Sequence, residues 1–594
     1  MTRLSNTTLA LTAAAVILLA PLVPGVPAYL FDLFDNIGLA ALVATGLVLL
    51  TGVGRLTSFG QAAFCGIGAY ATGLLTTKFG WSPWATLPMA LVASGLVSFV
   101  LGAFTARLSG HFLPLGTIAW GLSLALLLGS FAYTGAHSGI GAIPPLRIGT
   151  VALLQPRQIY AVIWACVLMA VGLCHNLLQS RFGRSVRLLR QSAMAAAAFG
   201  IHPARVKLFI FVFAAMLAGL SGWLFAHDQR AINPTSFGID AGIRYLFMAV
   251  VGGGGYIWGG VAGAAFVLIL KDVLEQVLPL VSANPTQIEE ICFGIILVAL
   301  LQVAPDGLWP LLARLRPAPA PEVPPLAPGP PPPLAAATRS GAPVEMLRLV
   351  GLGRKFGGLS AVDNVDFALR SGEIVGLIGP NGAGKSTTFN MISGALPPSS
   401  GEIWLKGQRI DRRKPQAIAG LGLARTFQHV KLVPDMSVLE NVALGGHLAG
   451  TAGPLHAMAR LERREEAALL AEARAQSLRV GLGGVIDKPV GTLALGQQRL
   501  VEVARALCNN PDVLLLDEPA AGLRLFEKQA LAALLRDLRA EGRAILLVEH
   551  DMGFVMELTD HIIVLEFGRK IAEGAPDVIR ASKDVIRAYL GAEA

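Results

Sequence analysis

Charge is scarce in this chain of 594 residues: 15% are Asp, Glu, Lys or Arg, against 54% hydrophobic. Soluble chains carry about 25% charged residues, so a single soluble globular protein is excluded. High hydrophobicity equally excludes a disordered chain. Carboxylates are scarcest of all, with no Asp or Glu between Asp35 and Asp228. A soluble domain has no reason to avoid them for so long, whereas ionised carboxylates are costly in hydrocarbon. Cysteine is sparse too. Cys65, Cys166, Cys174, Cys292 and Cys508 form no CxxC pair and no metal-ligand spacing, and read as small buried residues.

What remains divides in two. The net charge of +9 suggests nucleic acid when taken alone. Residues 1–316 hold 17 Lys and Arg against 9 Asp and Glu, while residues 317–594 hold 31 against 30. The excess therefore belongs to the hydrophobic half, where a positive-inside bias explains it and no nucleic acid is needed. Between the halves, residues 317–333 read PAPAPEVPPLAPGPPPP. This composition builds no core and favours an extended chain, so 317–343 is a spacer reaching up to roughly 80 Å.

Before the spacer, apolar runs of bilayer-crossing length recur near 9–28, 37–52, 59–77, 84–105, 112–133, 158–179, 206–226, 241–259, 260–279 and 288–312. They predict about ten spans, with an uncleaved first span and both termini on one side. Arg3, Arg55, Arg107, Arg181, Arg184, Arg187, Arg190, Arg205, Lys207, Arg314 and Arg316 share that side, which is then the cytoplasm. No ionisable residue falls in the middle of a run, which predicts no proton relay and no charged substrate site there. Small residues crowd 60–73 (GQAAFCGIGAYATG) and 250–265 (VVGGGGYIWGGVAGAA). They predict close helix packing or a broken helix along a substrate path.

After the spacer the composition becomes ordinary. EIVGLI, residues 373–378, reads as a buried strand, and GPNGAGKST follows it at once. This is a phosphate loop in its strand-to-helix context. The loop Gly379, Pro380, Asn381, Gly382, Ala383 and Gly384 brings backbone N–H groups around ATP phosphates. Lys385 reaches the β and γ phosphates, the Ser386 hydroxyl binds Mg²⁺, and Thr387 continues into a helix whose dipole favours anions. VLLLDEP, residues 513–519, is a second buried strand ending in two carboxylates. Asp517 suits Mg²⁺, and Glu518 suits orienting or polarising a water. AILLVEHD, residues 544–551, is a third such strand, with His550 near its end.

LALGQQRLVEVARAL, Leu493 to Leu507, lies between these strands and resembles the signature motif of ABC transporter ATPases. The order of phosphate loop, Gln428 in ARTFQ, signature, LLLDEP and VEHD is similar to that family throughout residues 346–594. The resemblance implies an α/β P-loop ATPase working as a sandwich of two domains, each phosphate loop facing the other's signature. On that pattern Leu493, Ala494, Leu495, Gly496 and Gln497 meet nucleotide across the sandwich. Phe356 stacks on adenine, Gln428 contacts Mg²⁺ and the transmembrane half, and His550 senses the γ-phosphate. Ala494 stands where the family has Ser, and Arg524 where Asp or Asn follows AGL. These departures imply unequal composite sites and a non-identical facing domain.

The first half resembles permeases for branched-chain amino acids in residues 49–77, 134–144, 181–211 and 246–266. Its Arg181–Lys207 segment is similar to the cytoplasmic segment that docks on the ATPase, with Ala195, Ala196 and Gly200 matching and Met194 in place of a Glu. An anionic-lipid anchor is the other reading of its cations. The whole is identified as an α-helical polytopic permease domain (1–316), a linker (317–343) and an ABC ATP-binding domain (344–594). This implies ATP-driven import across a bacterial inner membrane, of branched-chain amino acids or alternatively amides, urea or another small solute. Implied partners are a second permease, a second ATPase domain, an extracytoplasmic solute-binding protein and the lipid bilayer. An exporter and a membrane-anchored regulatory ATPase are the competing readings.

Overall fold

The computed structural model describes residues 14–105, 112–280, 285–314 and 343–590. The linker 317–343 lies outside them except for its last residue. The chain forms two compact units, Met1–Leu178 with Ala204–Glu322, and Gln179–Pro203 with Val323–Ala594.

The first unit is helical. Among the described residues, six helices are long and apolar enough to cross a membrane: Ala28–Val53, Pro83–Thr105, Phe112–Ser130, Pro156–Gln179, Pro203–Gln229 and Ile257–Val277. Other apolar runs counted toward the expected spans fall on shorter helices. Gln61–Thr77 has 17 residues and Ile239–Gly252 has 14. The run 9–28 begins outside the described residues, and its described part ends at Leu22. Pro24 and Pro27 follow, and proline ends a helix that reaches it from the N-terminal side. The border expected at 259/260 falls instead at Gly253–Tyr256, where Gly253 takes φ 110° and the helix breaks.

One further expectation is corrected. The Ala28–Leu47 helix starts well before the apolar run that marked it, so Asp32 and Asp35 lie within a membrane-crossing element. Asp35 is fully buried, and neither carboxylate oxygen has a hydrogen-bond partner among the described residues.

Helices apolar on every face are solvated by lipid. Pro83–Thr105 and Phe112–Ser130 accordingly leave Val92, Leu96, Phe104, Leu115 and Leu126 exposed. Small residues do the packing inside. A Cβ on Gly68 would lie 2.2 Å from the Gly219 carbonyl oxygen, so glycine alone lets Gln61–Thr77 meet Pro203–Gln229 this closely. Fully buried Trp223 secures the same helix, its Nε1–H donating to the Pro83 carbonyl at 3.2 Å and to Thr86 Oγ1 at 3.1 Å. Close packing and a broken helix, both expected of the two small-residue stretches, thus both occur.

The second unit has two sheets. The larger runs Arg569–Gly574, His561–Glu566, Ile374–Ile378, Ala544–Val548, Val513–Asp517 and Leu423–Arg425, parallel except for its antiparallel first pair. Its central strands are apolar and buried throughout, as parallel strands covered on both faces must be. The smaller antiparallel sheet runs Leu359–Arg370, Glu345–Phe356, Ser400–Leu405 and Gln408–Arg409. In-register pairing of Asp517 with Val548 brings the strand ends, and the loops after them, side by side. Ligands of open α/β sheets bind at such carboxyl ends.

Gly68→Ala is expected to cost about 1–3 kcal/mol by overpacking against the Gly219 backbone. A lowered thermal unfolding midpoint in detergent would register it, and an unchanged midpoint would count against this contact as a packing constraint.

Candidate ATP site and docking segment

The phosphate loop leaves the Ile374–Ile378 strand and enters the Lys385–Ile392 helix. Lys385 is buried, and its Nζ donates to the carbonyls of Gly379 at 2.7 Å and Pro380 at 2.9 Å. Burial pushes the Lys385 pKa below its ordinary value, and the charges of Glu518 and Asp517 oppose that shift. Asp517 is buried at the end of its strand, where desolvation raises its pKa and Arg425 counteracts. Its backbone N–H is held by Thr426 Oγ1 at 3.0 Å, while its Oδ1 is orphaned.

Glu518 adopts φ 49°, a left-handed conformation unusual for a residue with a side chain. The surroundings impose it. The Glu518 N–H donates to the Val548 carbonyl at 2.8 Å, and Glu518 Oε1 accepts from Gln428 Nε2 at 2.9 Å. His550 Nε2 stands 3.1 Å from the same oxygen. Gln428, Glu518 and His550 are thus joined, and Lys385 and Asp517 are near enough for their charges to act on one another and on Glu518. Phe356 is 45% exposed, with the Arg354 guanidinium 4.8 Å from its ring centroid. Among the described residues no hydrogen bond joins Leu493–Gln497 to the phosphate loop. Ala494 sits at the N-cap of Leu495–Leu507 and offers no side-chain cap. Arg524 likewise begins the Leu525–Ala540 helix, its N–H donating to Glu527 Oε2 at 2.8 Å.

Sequence reasoning missed several supports. Glu549 accepts from the Ala520 N–H at 2.6 Å and the His550 N–H at 3.1 Å, fixing the loops that carry Glu518 and His550. Arg425 donates to Ser393 Oγ at 2.6 Å and Asn390 Oδ1 at 3.0 Å, and burial brings its pKa down to about 10. The motifs ARTFQ and VEHD contain Arg425, Thr426 and Glu549, but were read for Gln428 and His550 alone.

The same unit contains Gln179–Pro203. Ser180 caps the Arg181–Gln191 helix by accepting from the N–H groups of Phe182 and Gly183, and Ser192 caps Ala193–Ala198 through the Ala195 N–H. Arg184, nearly buried, forks onto both oxygens of Glu466, at 3.0 Å to Oε2. Arg181 donates to the carbonyls of His447, Gly450 and Ala452, the last at 2.7 Å. Arg187 lies 3.7 Å from Glu440. Ala195 and Ala196 are fully buried, and Gly200 at φ 82° admits Leu448 where a Cβ would stand 2.3 Å from it. These arginines are paired with protein carboxylates and carbonyls, while Arg205 and Lys207 belong to the Pro203–Gln229 helix.

Comparison with known proteins follows this division. The family described as "Branched-chain amino acid transport system / permease component" matches residues 29–301. "ABC transporter" matches 362–521, and "Branched-chain amino acid ATP-binding cassette transporter" matches 569–594. The high-affinity branched-chain amino acid transport ATP-binding protein LivG of Salmonella typhimurium is 43% identical over 249 residues, 41% of this chain and 98% of that protein. The chain belongs to the branched-chain amino acid ABC transporter family. It joins a permease domain and an ABC ATPase domain of that family in one polypeptide. BraF of Pseudomonas aeruginosa, described in the same words as LivG, is 41% identical over 249 residues, 41% of this chain and 98% of its own. A crystal structure of a nucleotide-free ATP-binding cassette from an ABC transporter is 30% identical, with TM-score 0.38, covering 42% of this chain and 100% of its own. The family's ATPase domain binds nucleotide and couples hydrolysis to transport.

His447 lies within this dock, its Nδ1 3.1 Å from Ser185 Oγ. Burial, then the charges of Arg181 and Arg184, push its pKa from 6.5 down to about 3. The unfolded chain therefore binds the proton more readily between those values, so the stabilisation is present above about pH 6.5 and lost as pH falls toward 3. The unfolding midpoint is expected to drop from neutral pH to about pH 5, and to drop less in His447→Asn. Parallel pH profiles for the two proteins would rule out His447 as the titrating group.

Proposed function

We propose that this chain is one permease-plus-ATPase unit of a binding-protein-dependent importer of branched-chain amino acids. The observation that carries the reading is the dock. Residues 179–203 lie inside the span matched by the permease family, yet pack with the ATPase fold through Arg181, Arg184 and Arg187. A segment held this way moves with the ATPase, which is the mechanical link that coupled hydrolysis needs. The proposed boundaries are 1–316, 317–343 and 344–594 along the chain, with 179–203 docked.

In the proposed chemistry, Lys385 and the loop N–H groups of Gly379–Thr387 hold the β and γ phosphates. The oxygen donors Asp517, Ser386 and Gln428 would suit a hard cation, and the orphaned Asp517 Oδ1 supports that fit. Mg²⁺ held there would neutralise phosphate charge. Glu518, pinned by Gln428 and near His550, orients the attacking water and draws its proton. Phe356 offers its exposed ring to adenine. Leu493, Ala494, Leu495, Gly496 and Gln497 serve a second ATPase domain, with Ala494 and Arg524 making the two composite sites unequal. ATP moves the assembly by binding the closed sandwich more tightly than the open one. A second permease and an extracytoplasmic solute-binding protein complete the assembly in the bacterial inner membrane. The ATPase and both termini lie in the cytoplasm on this reading, which the arginine distribution supports.

Proteoliposomes carrying the full assembly and loaded with ATP test this. Wild type is expected to take up leucine when the cognate binding protein is supplied. Glu518→Gln is expected to abolish uptake and to lower ATP turnover at least about 100-fold. Undiminished turnover in that variant would remove Glu518 from its role, and uptake of urea or amides in place of leucine would replace the substrate class.

A further inference from the structure

A buried ion cluster behind the signature motif remains without a role. Arg499, Glu502 and Arg505 recur at three-residue spacing on Leu495–Leu507 and share one face of that helix. All are buried, Glu502 and Arg505 to 1% exposure. Glu502 Oε1 accepts from Arg505 Nη2 at 3.1 Å and from the Lys431 N–H at 2.9 Å. Arg499 Nη1 lies 3.5 Å from Glu502 Oε2. Both arginines also donate to one stretch of main chain, while the Nε of each is buried without a hydrogen-bond partner among the described residues. Arg499 donates to the carbonyls of Phe427, at 2.7 Å, and Gln428, while Arg505 donates to that of Lys431 at 2.8 Å. Residues 427–431 are thus gripped at both ends by one helix face, and their Gln428 side chain holds Glu518. On its other side, the Arg505 guanidinium lies 4.7 Å from the centroid of the Phe199 ring, which the docking segment buries.

Such a triad is a poor source of stability, since apolar residues of the same volume often serve as well. It is well suited to transmission. A planar guanidinium stacks on a ring and forks between two acceptors at once, which an ammonium does not. We infer that Arg505 and Glu502 are positioning residues that carry the seating of Phe199 to main chain 427–431, and so to the Gln428–Glu518 hydrogen bond. The inference rests on the assignment of Glu518 above and adds the route by which the docking segment reaches it.

ATP turnover of the full chain, assembled with its partner subunits in proteoliposomes, provides the test. Phe199→Leu keeps the apolar fill and removes the ring. Its kcat is expected to fall about tenfold, with the ATP KM unchanged within about twofold, because a contact felt in the transition state is lost. Phe199→Tyr restores wild-type kcat. Arg505→Lys, which keeps the charge, falls as Phe199→Leu does, and the double variant falls no further than either single one. Should Phe199→Leu not fold, Arg505→Lys against Phe199→Tyr gives the same comparison. A purely structural role predicts equal effects of Leu and Tyr at position 199, tracking a lowered unfolding temperature. That pattern, or unchanged kcat in both Phe199→Leu and Arg505→Lys, overturns the inference. Wild-type turnover is the reference, so an error in substrate class leaves the comparison intact. Undiminished turnover in Glu518→Gln is the separate result that would remove the reading beneath it.

Discussion

Arginine guanidiniums taken out of water, Arg184 above all, are the constraint on which the second unit depends. A charge in a protein interior is tolerated when it is paired and its donors are filled. Arg184 is paired by forking onto Glu466, although its Nε has no partner among the described residues, and Arg181 turns its donors to three carbonyls beside Glu465. Desolvation lowers the pKa of both Arg181 and Arg187, and the facing carboxylates counter it. An interface built this way tolerates little misplacement, because each displaced guanidinium would strand a buried charge on both sides. The segment carrying these arginines is therefore registered on the ATPase fold with high fidelity.

The ATP site uses the opposite arrangement, with charges left incompletely satisfied. Asp517 keeps an orphaned oxygen, Lys385 is turned onto loop carbonyls, and Glu518 is held at a backbone conformation that carries strain. On the proposed function, phosphate and a cation would satisfy these groups, leaving nucleotide binding energy to move the fold. Gln428 lies between these two regimes. Its side chain restrains Glu518, while its main chain is restrained by Arg499 from the signature helix. The dock meets the signature helix through the Arg505–Phe199 ring contact, and that helix reaches Glu518 through hydrogen bonds to the 427–431 main chain and from Gln428.

Much of this was legible from residues alone because the motifs carry their own local context. A phosphate loop needs a strand before it and a helix after it, and both are present within a few residues of Gly379–Thr387. The long carboxylate-free stretch marked the membrane half because hydrocarbon penalises charge wherever it falls. Helix borders were less legible. Hydropathy marks where a chain is apolar, not where its helix begins, so Asp32 and Asp35 were left outside a helix that contains them. The Gly253 break was likewise misplaced, since a run of four glycines permits the turn at any of them.

By itself, then, the sequence determined a membrane half and an ATPase half of different solvent, the strand-end placement of Asp517 and Glu518 beside the phosphate loop, and the family. These follow from short-range pattern, in which spacing along the chain is the same as spacing in the structure. The docking of this segment on the ATPase, residues 179–203, was implied by resemblance, but only the tertiary structure decided that Arg184 faces Glu466 and that Arg505 stacks on Phe199. Those pairs lie hundreds of residues apart. Nothing in a guanidinium's local surroundings names the carboxylate or ring that will cover it, and that choice is made when the surfaces close and water is excluded.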